Sequence, residues 1–228
     1  MSPKTIDLAV LDMAGTTVAD DGLVVRAFEA AATAAGLPAE GPERDKARAY
    51  VLETMGQSKI SVFRALLGDD RARTANEAFE AAYDALIDEV GVTPIPGAAE
   101  AISGLRADGV RVALTTGFSR ATQDRLLAAL DWADLADLTL APSDAGRGRP
   151  YPDLVLTALL QLRVDAVDRV AVLGDTTSDI ATGLAAGARI VAGTLTGAHD
   201  EEQLRAAGAT HVVPSVTEFA DLIRAERG

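Results

Sequence analysis

The chain has 228 residues, 48% of them hydrophobic, a formal charge of -13 and no cysteine. That length and apolar content suit one large domain or a core with a smaller attachment. The acidic balance argues against nucleic acid or an anionic membrane as partner, because phosphate binding needs clustered Lys and Arg, and the missing cysteines exclude disulfides, thiolate metal sites and cysteine nucleophiles. A small anionic substrate stays admissible, since a divalent cation and a few basic side chains reverse the field locally. No apolar run approaches a membrane span, and "MSPKTIDLAVLDMAG" has no signal-peptide cleavage pattern, so a soluble, cytoplasmic protein is expected.

In chain order, "TIDLAVLD" at 5–12 reads as a first buried strand. Three helical patterns then follow one another, "VVRAFEAAATAAG", "ERDKARAYVLETMG" and "SKISVFRALLG", and a fourth, "RTANEAFEAAYDALIDEVG", completes a stretch without a convincing strand. A helical insertion over 18–92 is the economical reading, with "GVTPIPG" at 91–97 as the linker back to a core made of 1–17 and 93–228. Next comes "PGAAEAISGLRADG", a helix with Pro96 near its start and Gly109 just past its end. Further apolar runs follow at 110–116, 137–142, 170–175 and 188–193, separated by helical patterns. Alternation of that kind predicts an α/β fold, a doubly wound parallel sheet covered on both faces.

In such a sheet ligands bind beyond the carboxyl ends of the strands. The residues there are Asp12, the pair Thr115 and Thr116, Arg149 in "GRGRPYP", and Asp175 with Asp179 in "GDTTSD". These types suit phosphoryl transfer: one carboxylate attacks phosphorus, others hold Mg²⁺ through oxygen, and hydroxyls, N–H groups and a cation hold the phosphoryl oxygens. Singly, each has a plain structural reading, as a helix cap, a turn residue or a solvated arginine. Their order along the chain carries the signal.

That order resembles the haloacid dehalogenase superfamily: a strand-end Asp12, the hydroxyl motif "LTTG", a basic residue before the fourth strand and the acidic "GDTTSD", with a helical cap inserted after the first motif. The resemblance spans nearly the whole chain and implies a Rossmann-like core. It also implies Asp12 as nucleophile, Thr115 and Arg149 as phosphoryl-binding groups, and Mg²⁺ held by Asp12, the carbonyl of Ala14 and Asp175, with Asp179 behind them. Gly15, Thr16, Met55, Thr116 and Gly117 are the expected substrate-binding residues beside Ala14. A homodimer contacting through the cap is also what the resemblance implies.

Most phosphatases of that superfamily carry "DxDxT", whose second Asp protonates the leaving alkoxide; here "DMAGT" puts Ala14 in that place. Either phosphatase activity is lost or the leaving group is not an alkoxide. A carbon leaving group needs an electron sink, such as a protonated imine between a lysine and a substrate carbonyl. The chain has three lysines: Lys4 before the first strand, Lys46 in the charged "ERDKARAY", and Lys59 in "MGQSK". If Ser58 starts a helix, Lys59 shares a face with Val62, Phe63 and Leu66. Two readings fit that spacing, a desolvated reactive amine and a lysine snorkelling from the edge of a packed helix.

"DMAGTTV", "MGQSK", "TTGFSR", "GRPYP" and "GDTTSD" together resemble the phosphonatases, or phosphonoacetaldehyde hydrolases, and their phosphonatase-like relatives. That resemblance implies Lys59 as the Schiff-base lysine and cleavage of a C–P bond. Val62 stands where phosphonatases usually have a histidine, and Phe118 where they have a tyrosine. An ordinary phosphomonoesterase and a non-catalytic phospho-ligand scaffold remain as alternatives. His199 and His211 read as structural or surface residues.

Overall fold

The computed structural model describes residues 5–227; Lys4 and the first residues of the expected core segment lie outside that range. Six parallel strands form one sheet in the order β3-β2-β1-β4-β5-β6. They are β1 Leu8–Asp12, β2 Arg111–Thr115, β3 Leu138–Leu140, β4 Val170–Gly174, β5 Ile190–Thr194 and β6 His211–Val213. β1, β4 and β5 are buried along their whole length, which is why they read as unbroken apolar runs and not as alternating ones. The sixth strand, only three residues long and half-buried over His211 and Val212, has too little pattern to read from sequence.

Helices cover both faces: α5 Ala98–Ala107, α6 Arg120–Ala129, α7 Pro142–Ala145, α8 Asp153–Gln161, α9 Thr177–Ala186, α10 Glu201–Ala206 and α11 Val216–Arg227, numbered after the four helices of the insertion. That insertion lies between β1 and α5. It consists of α1 Leu23–Ala34, α2 Pro42–Glu53, α3 Lys59–Leu67 and α4 Asp69–Val90, with α4 packed along α1 and α3. Among the described residues, no helix is long and apolar enough to cross a membrane.

The strand order reverses between β1 and β4, so the chain leaves those two carboxyl ends in opposite directions and opens a crevice there. Register in the sheet brings the ends level: Asp12 pairs with Thr115 and Leu11 with Leu173. The helical insertion closes over this crevice through a shared apolar cluster. Phe28 stacks on Phe63 at 5.2 Å, Phe63 meets Phe79 edge-on at 6.1 Å, and Phe79 and Tyr83 lie 6.2 and 4.7 Å from Phe118 of the core. Phe118 is 3% exposed, so its ring anchors the insertion on the sheet and contributes on the order of 1.5–3 kcal/mol of burial.

Candidate active site

Four strand-end segments and one loop of the insertion meet above the crevice. Asp12 ends β1, and its Oδ1 lies 2.6 Å from Nη2 of Arg149. The same nitrogen donates to Thr115 Oγ1 at 2.9 Å, while Nε pairs with Asp179 Oδ1 at 2.8 Å. One planar guanidinium therefore braces the ends of β1 and β2 and the start of α9, as its fixed fork of donors allows. Burial disfavours the charged guanidinium, but Asp12 and Asp179 outweigh it and hold Arg149 above its ordinary range.

Asp179 has two jobs at once. With Thr176 it forms a reciprocal cap on α9, its Oδ2 accepting from Thr176 N–H at 3.1 Å and from the Thr176 hydroxyl at 2.5 Å. Its other oxygen faces Arg149. Asp175 accepts from Thr16 Oγ1 at 3.0 Å and from the N–H of Ala198 at 2.7 Å. Gly15 packs flat on the Asp175 carboxylate, leaving no room for a side chain between them.

Asp12, Asp175 and Asp179 are all buried, with carboxylate oxygens within 4.8 Å of one another. Burial pushes Asp12 well above the usual carboxylate range; Arg149 opposes this, and the Asp179 and Asp175 charges add to it. Asp175 is pushed up to about 6, by burial first and then by Asp179. Three crowded hard-oxygen donors with a single arginine among them fit a small divalent cation such as Mg²⁺.

These groups open on a cavity of about 860 Å³. Of the residues expected from sequence, Asp12, Ala14, Met55, Lys59, Thr116, Gly117, Arg149 and Asp175 line it, whereas Gly15, Thr16, Thr115 and Asp179 stand behind that wall. Met55 and Lys59 come from the insertion. Ser58 does precede a helix, and Val62 and Phe63 on the Lys59 face are buried with Leu66 against them. The Lys59 amine lies over the Phe118 ring, 5.2 Å from its centroid, and 6.0 Å from that of Phe79. Burial pulls its pKa below the ordinary lysine value, against the charges of Asp20 and Asp12.

The loop before Lys59 is pressed onto the core. Gly56 accepts from Arg149 Nη1 at 3.2 Å, and Lys59 N–H donates to the Gly117 carbonyl at 3.3 Å. A Cβ on Gly117 would come within 2.6 Å of the Gln57 carbonyl oxygen and 2.9 Å of that of Gly56, so only glycine admits this approach.

Two cavity residues escape a reading by motif. Asp20 lies just before α1, where its sequence signal is that of a helix cap. His199 also lines the cavity and has the structural role expected for it: its Nδ1 accepts from Thr177 N–H at 2.9 Å at the start of α9. His211 is at the edge strand, with Nδ1 3.0 Å from Thr210 Oγ1.

A family model described as haloacid dehalogenase-like hydrolase matches residues 6–187. The chain belongs to the haloacid dehalogenase-like hydrolases. As such it takes a small phosphorylated substrate, and its helical insertion is the cap of that family. The chain is 27% identical to a phosphonoacetaldehyde hydrolase of Bacteroides fragilis over 97% of each chain. It is 26% identical to the probable phosphatase IndB of Dickeya dadantii over 92% of this chain and 90% of that one. Its fold is that of a hydrolase from Pseudomonas syringae, with a TM-score of 0.84, 22% identity and coverage of 96% of this chain and 98% of the other.

Proposed function

We propose that this hydrolase cleaves the C–P bond of phosphonoacetaldehyde or a related carbonyl phosphonate, with Mg²⁺ as cofactor. The observation that carries this reading is Lys59, a desolvated cap amine that opens on the same cavity as Asp12 and Arg149. Ala14 beside Asp12 supports it, because a carbon leaving group calls for an electron sink more than for an acid. The phosphonoacetaldehyde hydrolase relative from Bacteroides fragilis supports it as well.

In this mechanism the neutral Lys59 amine adds to the substrate aldehyde, and with the uptake of one proton the adduct loses water to give a protonated imine. Asp12 attacks phosphorus; the C–P electron pair flows into the imine, leaving an enamine on Lys59 and an aspartyl-phosphate on Asp12. Proton uptake at carbon and hydrolysis then release acetaldehyde, and water clears the aspartyl-phosphate. Arg149 and Thr115 orient Asp12, and Thr116 and Gly117 border the phosphoryl end of the cavity. Asp12, the Ala14 carbonyl and Asp175 would hold Mg²⁺, with Asp179 behind, and the ion supplies charge neutralisation at the phosphoryl oxygens. The cap is assigned residues 18–92 and the core 1–17 and 93–228.

Incubation with phosphonoacetaldehyde and Mg²⁺, followed by measurement of phosphate and acetaldehyde, tests the reaction, and borohydride trapping with mass spectrometry tests the imine. A Lys59 adduct is expected. Phosphate release from esters that survives Lys59→Ala, with no adduct, would favour a phosphomonoesterase, the reading that the IndB relative supports.

A further inference from the structure

Asp20 belongs to none of the strand-end motifs. Its Oδ1 accepts from the N–H of Val24 at 3.2 Å, satisfying one of the free donors in the first turn of α1. An ordinary cap of this kind is solvated. Asp20 instead is half-buried on the wall of the cavity that also holds Asp12, Lys59 and Arg149. Val24, whose N–H it holds, lines a second, smaller void together with Lys59 and Phe79. The carboxylate and the amine thus face one space from two cap elements, the start of α1 and the start of α3.

Charge couples the groups of that space, since Asp12, Arg149 and Asp175, as well as Asp20, act on Lys59. The groups that act on Asp12 are Arg149, Asp179 and Asp175. Lys59 is the basic side chain that acts on Asp20, and Asp20 is the carboxylate that acts most on Lys59. Asp12 ends a strand of the sheet, whereas Asp20 and Lys59 both come from the insertion. Burial raises Asp20 from its ordinary carboxylate value and lowers Lys59 from its ordinary lysine value.

We propose that Asp20 is the acid that completes imine formation at Lys59, an assignment that rests on the imine reading above. The neutral amine adds to the aldehyde, and an internal proton shift gives a carbinolamine bearing one hydroxyl. Protonated Asp20 gives its proton to that hydroxyl, the C–O bond breaks, water leaves, and the nitrogen lone pair forms the C=N⁺ bond. Asp20 ends as a carboxylate beside the cation it has helped to make, and that charge favours the imine. Neither Ala14 nor Val62 can carry a proton; of the carboxyl groups that the insertion brings to this cavity, Asp20, Asp21 and Glu53, Asp20 is the one held by a hydrogen bond at the start of α1 and the one whose charge acts on Lys59.

The test follows adduct formation on Lys59 in time. Enzyme is mixed with phosphonoacetaldehyde and quenched with borohydride at increasing delays, and the reduced Lys59 peptide is quantified by mass spectrometry. Asp20→Asn keeps the cap to Val24 but has no acid, and it is expected to slow the adduct about 10²-fold. Asp20→Ser, which caps with a different acceptor, should behave alike, and thermal unfolding of both variants verifies the fold. Glu40→Gln, an exposed change in the cap that lies outside the cavity, is the comparison and should trap at the wild-type rate. Adduct formation in Asp20→Asn as fast as in Glu40→Gln would overturn the assignment. So would normal trapping with only phosphate release impaired, which would put the Asp20 proton on the departing carbon. Absence of an adduct in wild type and Glu40→Gln alike would instead remove the imine reading itself.

Discussion

The carbonyl of Gly56 accepts a hydrogen bond from Nη1 of Arg149 at 3.2 Å, which ties the cap loop to the guanidinium that braces Asp12. Cap position and the orientation of Asp12 are therefore joined through one side chain. The joint depends on how closely the loop approaches Gly117.

Gly117→Ala puts a methyl group against the carbonyls of Gln57 and Gly56 without backbone strain, since Gly117 does not have a positive φ. The cap should be held off the core while both parts stay folded. We expect kcat/KM to fall about 10²-fold, the order of loss that misplacement by an ångström causes, with Tm little changed. Steady-state kinetics beside thermal unfolding checks this, and wild-type kinetics in the variant would show that the contact does not matter.

Asp12→Asn should lower turnover by about 10⁴–10⁶-fold, the scale of losing a nucleophile. Phosphate release near the wild-type rate would exclude Asp12 from that role. The amide also weakens the pairing with Arg149, so unfolding should be measured alongside.

Chelation of divalent ions should abolish phosphate release, and Mg²⁺ should restore it. A readout independent of turnover is Tm: a cation bound among Asp12, Asp175 and Asp179 only in the folded state adds about 2.7 kcal/mol at a hundredfold excess over Kd. A Tm insensitive to Mg²⁺ would count against the site.

Lys59→Met should abolish trapping and yet stabilise the fold by roughly 0.5–2 kcal/mol, as relief of a functional strain does. Folding lowers the Lys59 pKa, so the charged amine penalises the native state at neutral pH. Between that lowered value and the ordinary 10.5 the unfolded chain binds more protons, and wild-type stability rises with pH. The Tm advantage of the variant should therefore shrink as pH is raised through that window. Asp20, Asp12 and Asp175 face the amine and favour its charge, and Arg149 opposes it, so the comparison is made at fixed ionic strength. A destabilised variant at neutral pH would mean that these carboxylates outweigh burial.

Much of the site was legible in the chain. Asp12, Thr115 and Asp175 each stand at or just after the end of an apolar run, and a parallel sheet brings such ends to one edge whatever the details of packing. Lys59 was legible through its helix, where positions three and four residues apart share a face. The short β6 was not, because a three-residue strand whose first two residues are half-buried carries no period.

By itself, then, the sequence determined the α/β class, the helical insertion, the strand-end acids and hydroxyls, and a cap lysine. Those follow from short-range rules: apolar runs, helical spacing and residue type. Tertiary structure alone decided that Arg149 spans Asp12, Thr115 and Asp179, that the Gly56 loop lies on Gly117, that Phe118 belongs to the cap's aromatic cluster, and that Asp20 and His199 reach the cavity. Each of these joins segments far apart in the chain. No periodicity connects such segments, and they meet only because burying the cap on the sheet holds them there.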